Sequence, residues 1–351
     1  VDEEGGRRHE GTVKFSDLEL LHTGEHAGRA VERRRLVIEQ ELPPGYHTLA
    51  VGGGGMAEAT MPLIVTPDRC YLPPEVSEGN GIWGISAQLY LLRSRDDWGL
   101  GDFADLKSFV GKSADLGASV IGLNPLHTMF PDNPDHASPY SPASRLYLNI
   151  LYIDPAKLPE YPGCERCRVL TEAPEFKRRL QAARDADLVD YAEAAALKLP
   201  VLEVLFQQFK ERASAERRDA FARFRREQGE PLERLCRFLA LRAHFAPDKA
   251  DWRTWPPEYR KPDGEAVDRF ARENADRIDF HAWTQWVADE QLAEAAAEAK
   301  ARGMAVGLYR DLAVGADSSG AETWANPGLV VSSAHVGAPP DLFNPAGQDW
   351  G

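Results

Sequence analysis

Acidic, amide and aromatic residues that could bind a polyhydroxylated ligand are concentrated towards the C-terminal end of the sequence. Residues 304–316 contain one acid, Asp311, just after an apolar run of strand length, and residues 337–351 add further acids, amides and aromatics. Carboxylates and amides exchange paired hydrogen bonds with neighbouring hydroxyls, and aromatic rings pack on the apolar faces of pyranose rings. These residue types are therefore typical of a carbohydrate site.

Motifs for several other chemistries are missing from the sequence. It contains no H-E-x-x-H, G-x-S-x-G or G-x-x-x-x-G-K-[ST] run and only one C-x-x-C, at Cys164 and Cys167. These absences exclude metalloprotease, α/β-hydrolase, nucleotide-triphosphate and zinc-ribbon interpretations. Residues 52–57 formally fit the dinucleotide pattern G-x-G-x-x-A, but no apolar helix follows, so we predict a hairpin turn.

Composition narrows the partners and the compartment. The formal net charge is −14, which argues against nucleic acid or an anionic membrane as the main partner. We find no apolar stretch of transmembrane length and no signal peptide, and four cysteines in 351 residues do not make a disulfide scaffold. We therefore expect a cytoplasmic protein with reduced thiols and no metal site.

The elements that must position Asp311 follow a β-α-β pattern. A strand over residues 82–90, a helix capped by Asp102, and a second strand over 119–123 are joined by a crossover of parallel type. A later helix stops at Gly303, and the apolar run after it predicts a third strand. Asp311 then lies near the carboxyl end of that strand, either as a substrate ligand or as a helix cap.

Two further regions complete the pattern. Residues 128–151 read as a long loop rich in Pro, Ser and Asn, either a substrate pocket or a lid, and residues 170–300 read as mostly helical, with a break or kink near Pro200. Residues 1–70 read as β, with strands at 35–40, 47–51 and 61–65, the first two joined by a Pro-Gly turn in a small antiparallel sandwich.

Four segments together resemble the 4-α-glucanotransferase family (amylomaltase, disproportionating enzyme), in the form with an N-terminal β extension. The resemblance extends from about Tyr46 to Gly351. The segments are Trp98-Gly99-Leu100-Gly101-Asp102, Ser138-Pro139-Tyr140-Ser141-Pro142, Gly307-Leu308-Tyr309-Arg310-Asp311-Leu312-Ala313-Val314-Gly315, and residues 337–351 with Gly337-Ala338-Pro339-Pro340-Asp341 and Gly347-Gln348-Asp349-Trp350-Gly351.

The resemblance implies an α/β fold in which an N-terminal β-sandwich-like domain precedes the first three strands of a (β/α)8 barrel. The expected domains are 1–72 (β sandwich), 73–81 (linker), 82–160 (barrel strands 1 and 2), 161–300 (helical insertion) and 301–351 (strand 3 and substrate loop).

The resemblance also implies an activity and a set of ligands. It implies transfer of a segment of an α-1,4-glucan to the 4-hydroxyl of an acceptor glucan or glucose, with retention and without a cofactor. Tyr140 matches the tyrosine that lines the donor pocket, and Asp311 the aspartate that binds donor-sugar hydroxyls. Asp341, Gln348 and Trp350 match the loop that borders the acceptor side.

No residue matches the family's catalytic carboxylates, which we expect beyond Gly351. The sequence runs from Val1 to Gly351 and reads as a piece of a longer polypeptide. We therefore expect this piece alone to be inactive and to self-associate through an open barrel. An α-amylase-type hydrolase and a non-catalytic glucan-binding module remain as alternatives.

Overall fold

The chain forms two compact units, Val1–Leu72 and Pro73–Gly351. We describe them from a computed structural model. The structure describes residues 1–53, 56–77, 79, 81–246, 249–331, 334 and 336–349.

The first unit is built from two antiparallel hairpins. Strand β1 (Glu19–His26) pairs with β2 (Arg29–Arg35), and β3 (Gly45–Gly53) pairs with β4 (Met56–Val65). Gly53 pairs with Met56, so residues 52–57 connect a hairpin as predicted, although Gly54 and Gly55 lie outside the described residues. Each hairpin forms its own two-stranded sheet.

The predicted strand at residues 35–40 is wrong, and so is its pairing with residues 47–51. The real strand, β2, ends at Arg35 and turns back on β1 through Ala27 and Gly28. Both residues have positive φ (51° and 74°), as a two-residue primed turn requires. The hairpin was missed because Ala is unusual at the first of these positions, where Asn or Asp normally indicates the turn.

The second unit contains a three-stranded parallel sheet with the expected direction of its strands. β6 lies between β5 and β9, and Ile121 of β6 pairs with Ile85 on one side and Leu308 on the other. Two further antiparallel pairs are β7 with β8, between β6 and β9 in the chain, and β10 with β11, after β9. The strands are β5 (Gly84–Ala87), β6 (Val120–Leu123), β7 (His127–Thr128), β8 (Ser144–Leu148), β9 (Gly307–Arg310), β10 (Gly337–Ala338) and β11 (Gln348–Asp349).

The helices of the second unit lie mostly between β6 and β9, where we expected an insertion. The largest lie over 191–212, 215–245 and 275–301. In chain order the helices are α1 (Pro74–Ser77), α2 (Phe103–Asp115), α3 (Glu165–Glu172), α4 (Pro174–Asp185), α5 (Tyr191–Arg212), α6 (Ala215–Phe245), α7 (Glu265–Glu273), α8 (Ala275–Ala301) and α9 (Ala321–Ala325).

One strand and one helix of the second unit differ in extent from the prediction. The first parallel strand is shorter than residues 82–90, because the Leu89 amide donates to the Asn124 side chain (2.7 Å) and a 3-10 turn, Leu89–Leu91, follows. The expected break at Pro200 is absent, since α5 continues through it. Burial of neighbours such as Val201 and Leu202 stabilises the helix by more than the missing amide donor of Pro200 costs.

The turn and helix after β5 form as predicted. A Cβ at Gly101 would lie 2.1 Å from the Leu89 carbonyl oxygen, so only glycine fits there. Asp102 caps α2 by accepting from the amides of Ala104 (3.1 Å) and Asp105 (3.3 Å), and the Asp105 carboxylate accepts from the Asp102 amide (3.1 Å). This capping box fixes the start of the helix directly behind the first strand.

The core of the second unit is made by the inserted helices and α2. α8 contributes Phe280, Trp283 and Trp286, which contact Phe206 and Phe209 of α5. Among the helices of the described residues, none is both long and apolar enough to cross a lipid bilayer.

Candidate functional site

Asp311 lies at the carboxyl end of the parallel sheet. It directly follows β9, and its amide donates to the carbonyl of Leu123, the last residue of β6 (3.1 Å). Its carboxylate accepts from the Leu312 amide (2.9 Å). The alternative of a helix cap is wrong, because the next helix begins only at Ala321 and Gly320 is its N-cap residue.

Tyr140 lies near Asp311 although 171 positions separate the two in the chain (311 minus 140). Its phenol lies near enough to the Asp311 carboxylate for the charge of that group to act on its ionisation. Partial burial, followed by the charge of Asp311, raises the pKa of the Tyr140 phenol. Tyr140 is 55% exposed and therefore faces solvent. It lies at the carboxyl ends of the strands, where open α/β sheets bind their ligands.

Other polar residues at this edge were not singled out from the sequence. The Tyr90 hydroxyl donates to the Gln88 side chain just past β5, and Tyr90 also raises the pKa of Tyr140. The Tyr90 ring meets that of Tyr191 edge-on, with centroids 6.0 Å apart. We had placed Gln88 and Tyr90 inside a strand. Their position at its carboxyl end is the signal that could have identified them.

His127 links the loop after Asp311 to the second strand pair. Its Nε2 accepts from the Ala313 amide (3.1 Å). Burial and the charge of Arg145 lower the pKa of His127, against the opposing charges of Glu322 and Asp311. The imidazole therefore acts as a neutral acceptor that holds backbone in place.

A partly buried ion pair fixes the same region. Arg145 Nη2 lies 2.5 Å from Glu322 Oε1, and the Arg145 amide donates to Glu322 Oε2 (2.9 Å). Arg145 Nη1 also donates to the Val314 carbonyl (2.9 Å). Burial opposes ionisation of Glu322, but the hydrogen bonds and charge of Arg145 prevail and lower its pKa. The pair stays charged and anchors β8 to the loop after β9.

The remaining predicted ligands lie on the last hairpin. Asp341 Oδ1 accepts from the amides of Phe343 (2.8 Å) and Asn344 (2.7 Å), so its hydrogen bonds lie within its own exposed turn. Gln348 belongs to β11 and pairs with Ala338 of β10. Trp350 lies outside the described residues. The contacts described for Asp341 do not join it to Tyr140 or Asp311.

The C-x-x-C motif has a local structural role. Cys164 is the N-cap residue of α3, and its Sγ accepts from the Cys167 amide (3.2 Å). Within the described part of the chain, no three His, Cys, Asp or Glu side chains come together as a metal site.

The fold and the residues at the carboxyl ends of its strands define an α/β protein in which an exposed tyrosine lies near a partly buried aspartate. Residues 87–351 match the family model described as 4-alpha-glucanotransferase, and residues 1–67 match the MalQ N-terminal beta sandwich domain. The chain belongs to the 4-alpha-glucanotransferase family.

Relatives and solved structures agree with this family. The chain is 37% identical to the 4-alpha-glucanotransferase of Haemophilus influenzae over 319 residues, which cover 88% of this chain and 45% of that protein. It is 37% identical to that of Mycobacterium tuberculosis over 331 residues, covering 92% and 44%. The crystal structure of amylomaltase from Corynebacterium glutamicum matches with a TM-score of 0.78 at 28% identity, covering 99% of this chain and 46% of that one. The chain thus spans less than half the length of these proteins.

Proposed function

We propose that this chain serves a 4-α-glucanotransferase, which transfers a segment of an α-1,4-glucan to the 4-hydroxyl of an acceptor glucan or glucose with retention. The observation that carries this proposal is the proximity of Tyr140 to Asp311 at the carboxyl end of the sheet. Membership in the family supports the reaction, and the two side chains supply groups that suit a sugar.

The pair can act on a glucose unit in two ways. The Asp311 carboxylate has further acceptor sites beyond the one used by the Leu312 amide, and adjacent sugar hydroxyls can donate to them. The exposed Tyr140 ring can pack on the apolar face of the same sugar. Asp341, Gln348 and Trp350 would border the acceptor side, as the resemblance implies. We propose α-1,4-glucans as the ligand on this basis.

The proposed roles of Asp311 and Asp341 decide whether this chain could catalyse the transfer. Retaining transfer at a glycosidic bond uses two carboxyl groups about 5 Å apart, one as nucleophile and one as general acid and base. Asp311 and Asp341 are both assigned to sugar binding, and Asp341 is engaged in its own turn. We therefore propose that the 351 residues on their own bind glucan without turning it over.

We also propose that β5, β6 and β9 belong to a (β/α)8 barrel, interrupted by the helices between β6 and β9. Parallel sheets normally have both faces covered. Here Gly84 and Ser86 of β5 are exposed, and Tyr309 of β9 is 66% exposed. Such a face would be covered in a closed barrel, and it favours self-association of the isolated chain. Sedimentation velocity from low to high protein concentration tests this, and a monomer throughout would contradict it.

The proposed function is tested by binding and turnover on the same preparation. Calorimetric titration with maltoheptaose should give a saturable heat, whereas cellohexaose, which has β-1,4 links, should give none. Incubation with maltotriose, followed by chromatography, should give neither glucose nor longer glucans. Absence of maltoheptaose binding would contradict the glucan site, and disproportionation of maltotriose would contradict the proposed lack of turnover. Glucose without longer chains would instead indicate a hydrolase.

A further inference from the structure

Two loops that are distant in sequence meet at the Tyr140–Asp311 pair. The first, residues 129–143, carries Tyr140, and the second, residues 311–320, begins with Asp311. Their backbones are joined directly, because the Asp317 amide donates to the Pro142 carbonyl (2.8 Å). The Ser141 hydroxyl also donates to Asp317 Oδ2 (3.3 Å). These contacts involve Ser141 and Pro142, the two residues that directly follow Tyr140, and both are made with the second loop.

The Asp317 carboxylate is the centre of this junction. Its Oδ1 accepts from both the amide (2.7 Å) and the hydroxyl (2.6 Å) of Ser319, which fixes the turn of the second loop. Its Oδ2 accepts from Ser141 and lies 3.6 Å from His136 Nε2. His136 Nε2 in turn donates to the Ser141 carbonyl (2.9 Å) and closes the turn around Tyr140. The side chain of Asp317 is only 20% exposed.

Tyr140 itself has little packing to hold it. It is 55% exposed, and the pairing of β7 with β8 reaches only the base of its loop, where the Ala143 amide donates to the Thr128 carbonyl (3.0 Å). An exposed side chain on a long loop takes its position from the anchoring of the backbone beside it. Here that anchoring is supplied by Asp317.

We propose that Asp317 is a positioning residue that holds the Tyr140 loop against Asp311 and so keeps the two sugar-binding side chains together. The geometric part of this inference concerns the free protein, while its effect on glucan affinity rests on the proposed function. Asp317 does not contact the sugar in this scheme. It acts through Ser141 and the backbone of Pro142.

The test reads the proximity of Tyr140 to Asp311 without any sugar. Protein labelled with 13C at the tyrosine ζ carbon is titrated with base, and the Tyr140 signal is assigned by its loss in Tyr140→Phe. Asp317→Ala should lower the pKa of Tyr140 towards its ordinary value of 10.0, because the hydroxyl separates from the Asp311 carboxylate. Ser141→Ala should lower it less. Asp135→Asn, which removes an exposed carboxylate from the same loop, is the matched control and should leave it unchanged.

Maltoheptaose affinity is measured on the same variants. Asp317→Ala should weaken it about tenfold, since small displacements of positioning groups are costly, while Asp317→Asn, which keeps an acceptor for Ser319, should recover part of the loss. Circular dichroism checks the fold. If Asp317→Ala does not fold, Ser141→Ala and Asp317→Asn decide the matter. A folded set with an unchanged pKa of Tyr140 overturns the proposal. A lowered pKa in a chain that binds no glucan supports the positioning role and contradicts the proposed function instead.

Discussion

Lys198 Nζ lies 3.1 Å from Asp102 Oδ2, and both side chains are almost completely buried. The ammonium also donates to the carbonyls of Leu151 (2.8 Å) and Ile153 (2.8 Å), so all three of its protons have acceptors. Because Asp102 caps α2, this one cation joins the helix behind the first parallel strand to α5 and to the segment after β8. The start of α2 is therefore held to the inserted helix α5 by a buried ion pair.

Removal of this cation should lower the free energy of unfolding strongly. Lys198→Met leaves the Asp102 carboxylate and two carbonyls buried without their donor, and we expect a loss of about 3–5 kcal/mol in the free energy of unfolding. The matched control is Lys107→Met, which breaks an ion pair with Glu294 in which both side chains are exposed. That change should cost less than about 1 kcal/mol. Urea denaturation followed by fluorescence measures both, and equal losses would contradict the account.

Asp105 should make stability depend on pH. Burial, and then the charge of Asp102, raises its pKa from 3.8 to about 6. A raised folded-state pKa stabilises the protein fully below the unfolded value, and that contribution is lost as pH rises through the folded value. Asp105→Asn keeps an oxygen that can accept from the Asp102 amide and removes the charge.

The variant should therefore gain stability over the wild type between pH 4 and pH 7, by up to about 3 kcal/mol if the whole shift is realised. Urea denaturation at each pH measures this difference. Asp187→Asn, at an exposed position, serves as the control and should differ little from the wild type at either pH. A gain for Asp105→Asn that did not grow with pH would contradict this prediction, because it would mean that ionisation of the Asp105 carboxylate does not lower stability.

Glu322 should make stability depend on pH in the opposite direction to Asp105. Its pKa lies below the ordinary 4.5 because the hydrogen bonds and charge of Arg145 outweigh burial. A lowered folded-state pKa contributes stability above the unfolded value, which is lost as pH falls through the folded one. Glu322→Gln should cost about 1–3 kcal/mol at pH 7 and progressively less below pH 4. Thermal unfolding of both proteins across this range measures the difference, and a constant gap would contradict the ion-pair explanation.

Much of the architecture was predictable because local signals agreed with the fold. Asp102 followed by a helical pattern indicated the cap of α2, and Gly303 indicated the end of the helix before β9, where it has a positive φ (70°). The parallel direction of the strands followed from the length of the crossovers. These features depend on a few neighbouring residues, so sequence alone carries them.

The misses concern features that depend on tertiary contacts. Pro200 does not break α5 because the helix around it is buried, and local propensity carries no information on that. The pairing of Thr128 with Ser144 within the predicted loop escaped notice because both strands are short. The Lys198–Asp102 pair joins residues 96 positions apart, and no local pattern indicates it. The proximity of Tyr140 to Asp311 was expected only from the resemblance to a family, which assigned both residues to the donor sugar.

The central claim is that Tyr140 and Asp311 bind an α-1,4-glucan together, and calorimetric titration of maltoheptaose against four proteins tests it most directly. Asp311→Asn and Tyr140→Phe should each weaken binding by about 1–2 kcal/mol, and the double variant should lose less than the sum, because the two neighbouring side chains bind the same sugar unit. Each variant should unfold at the wild-type urea midpoint, since both positions are at least partly exposed. Affinities equal to the wild type in all three variants would contradict the account.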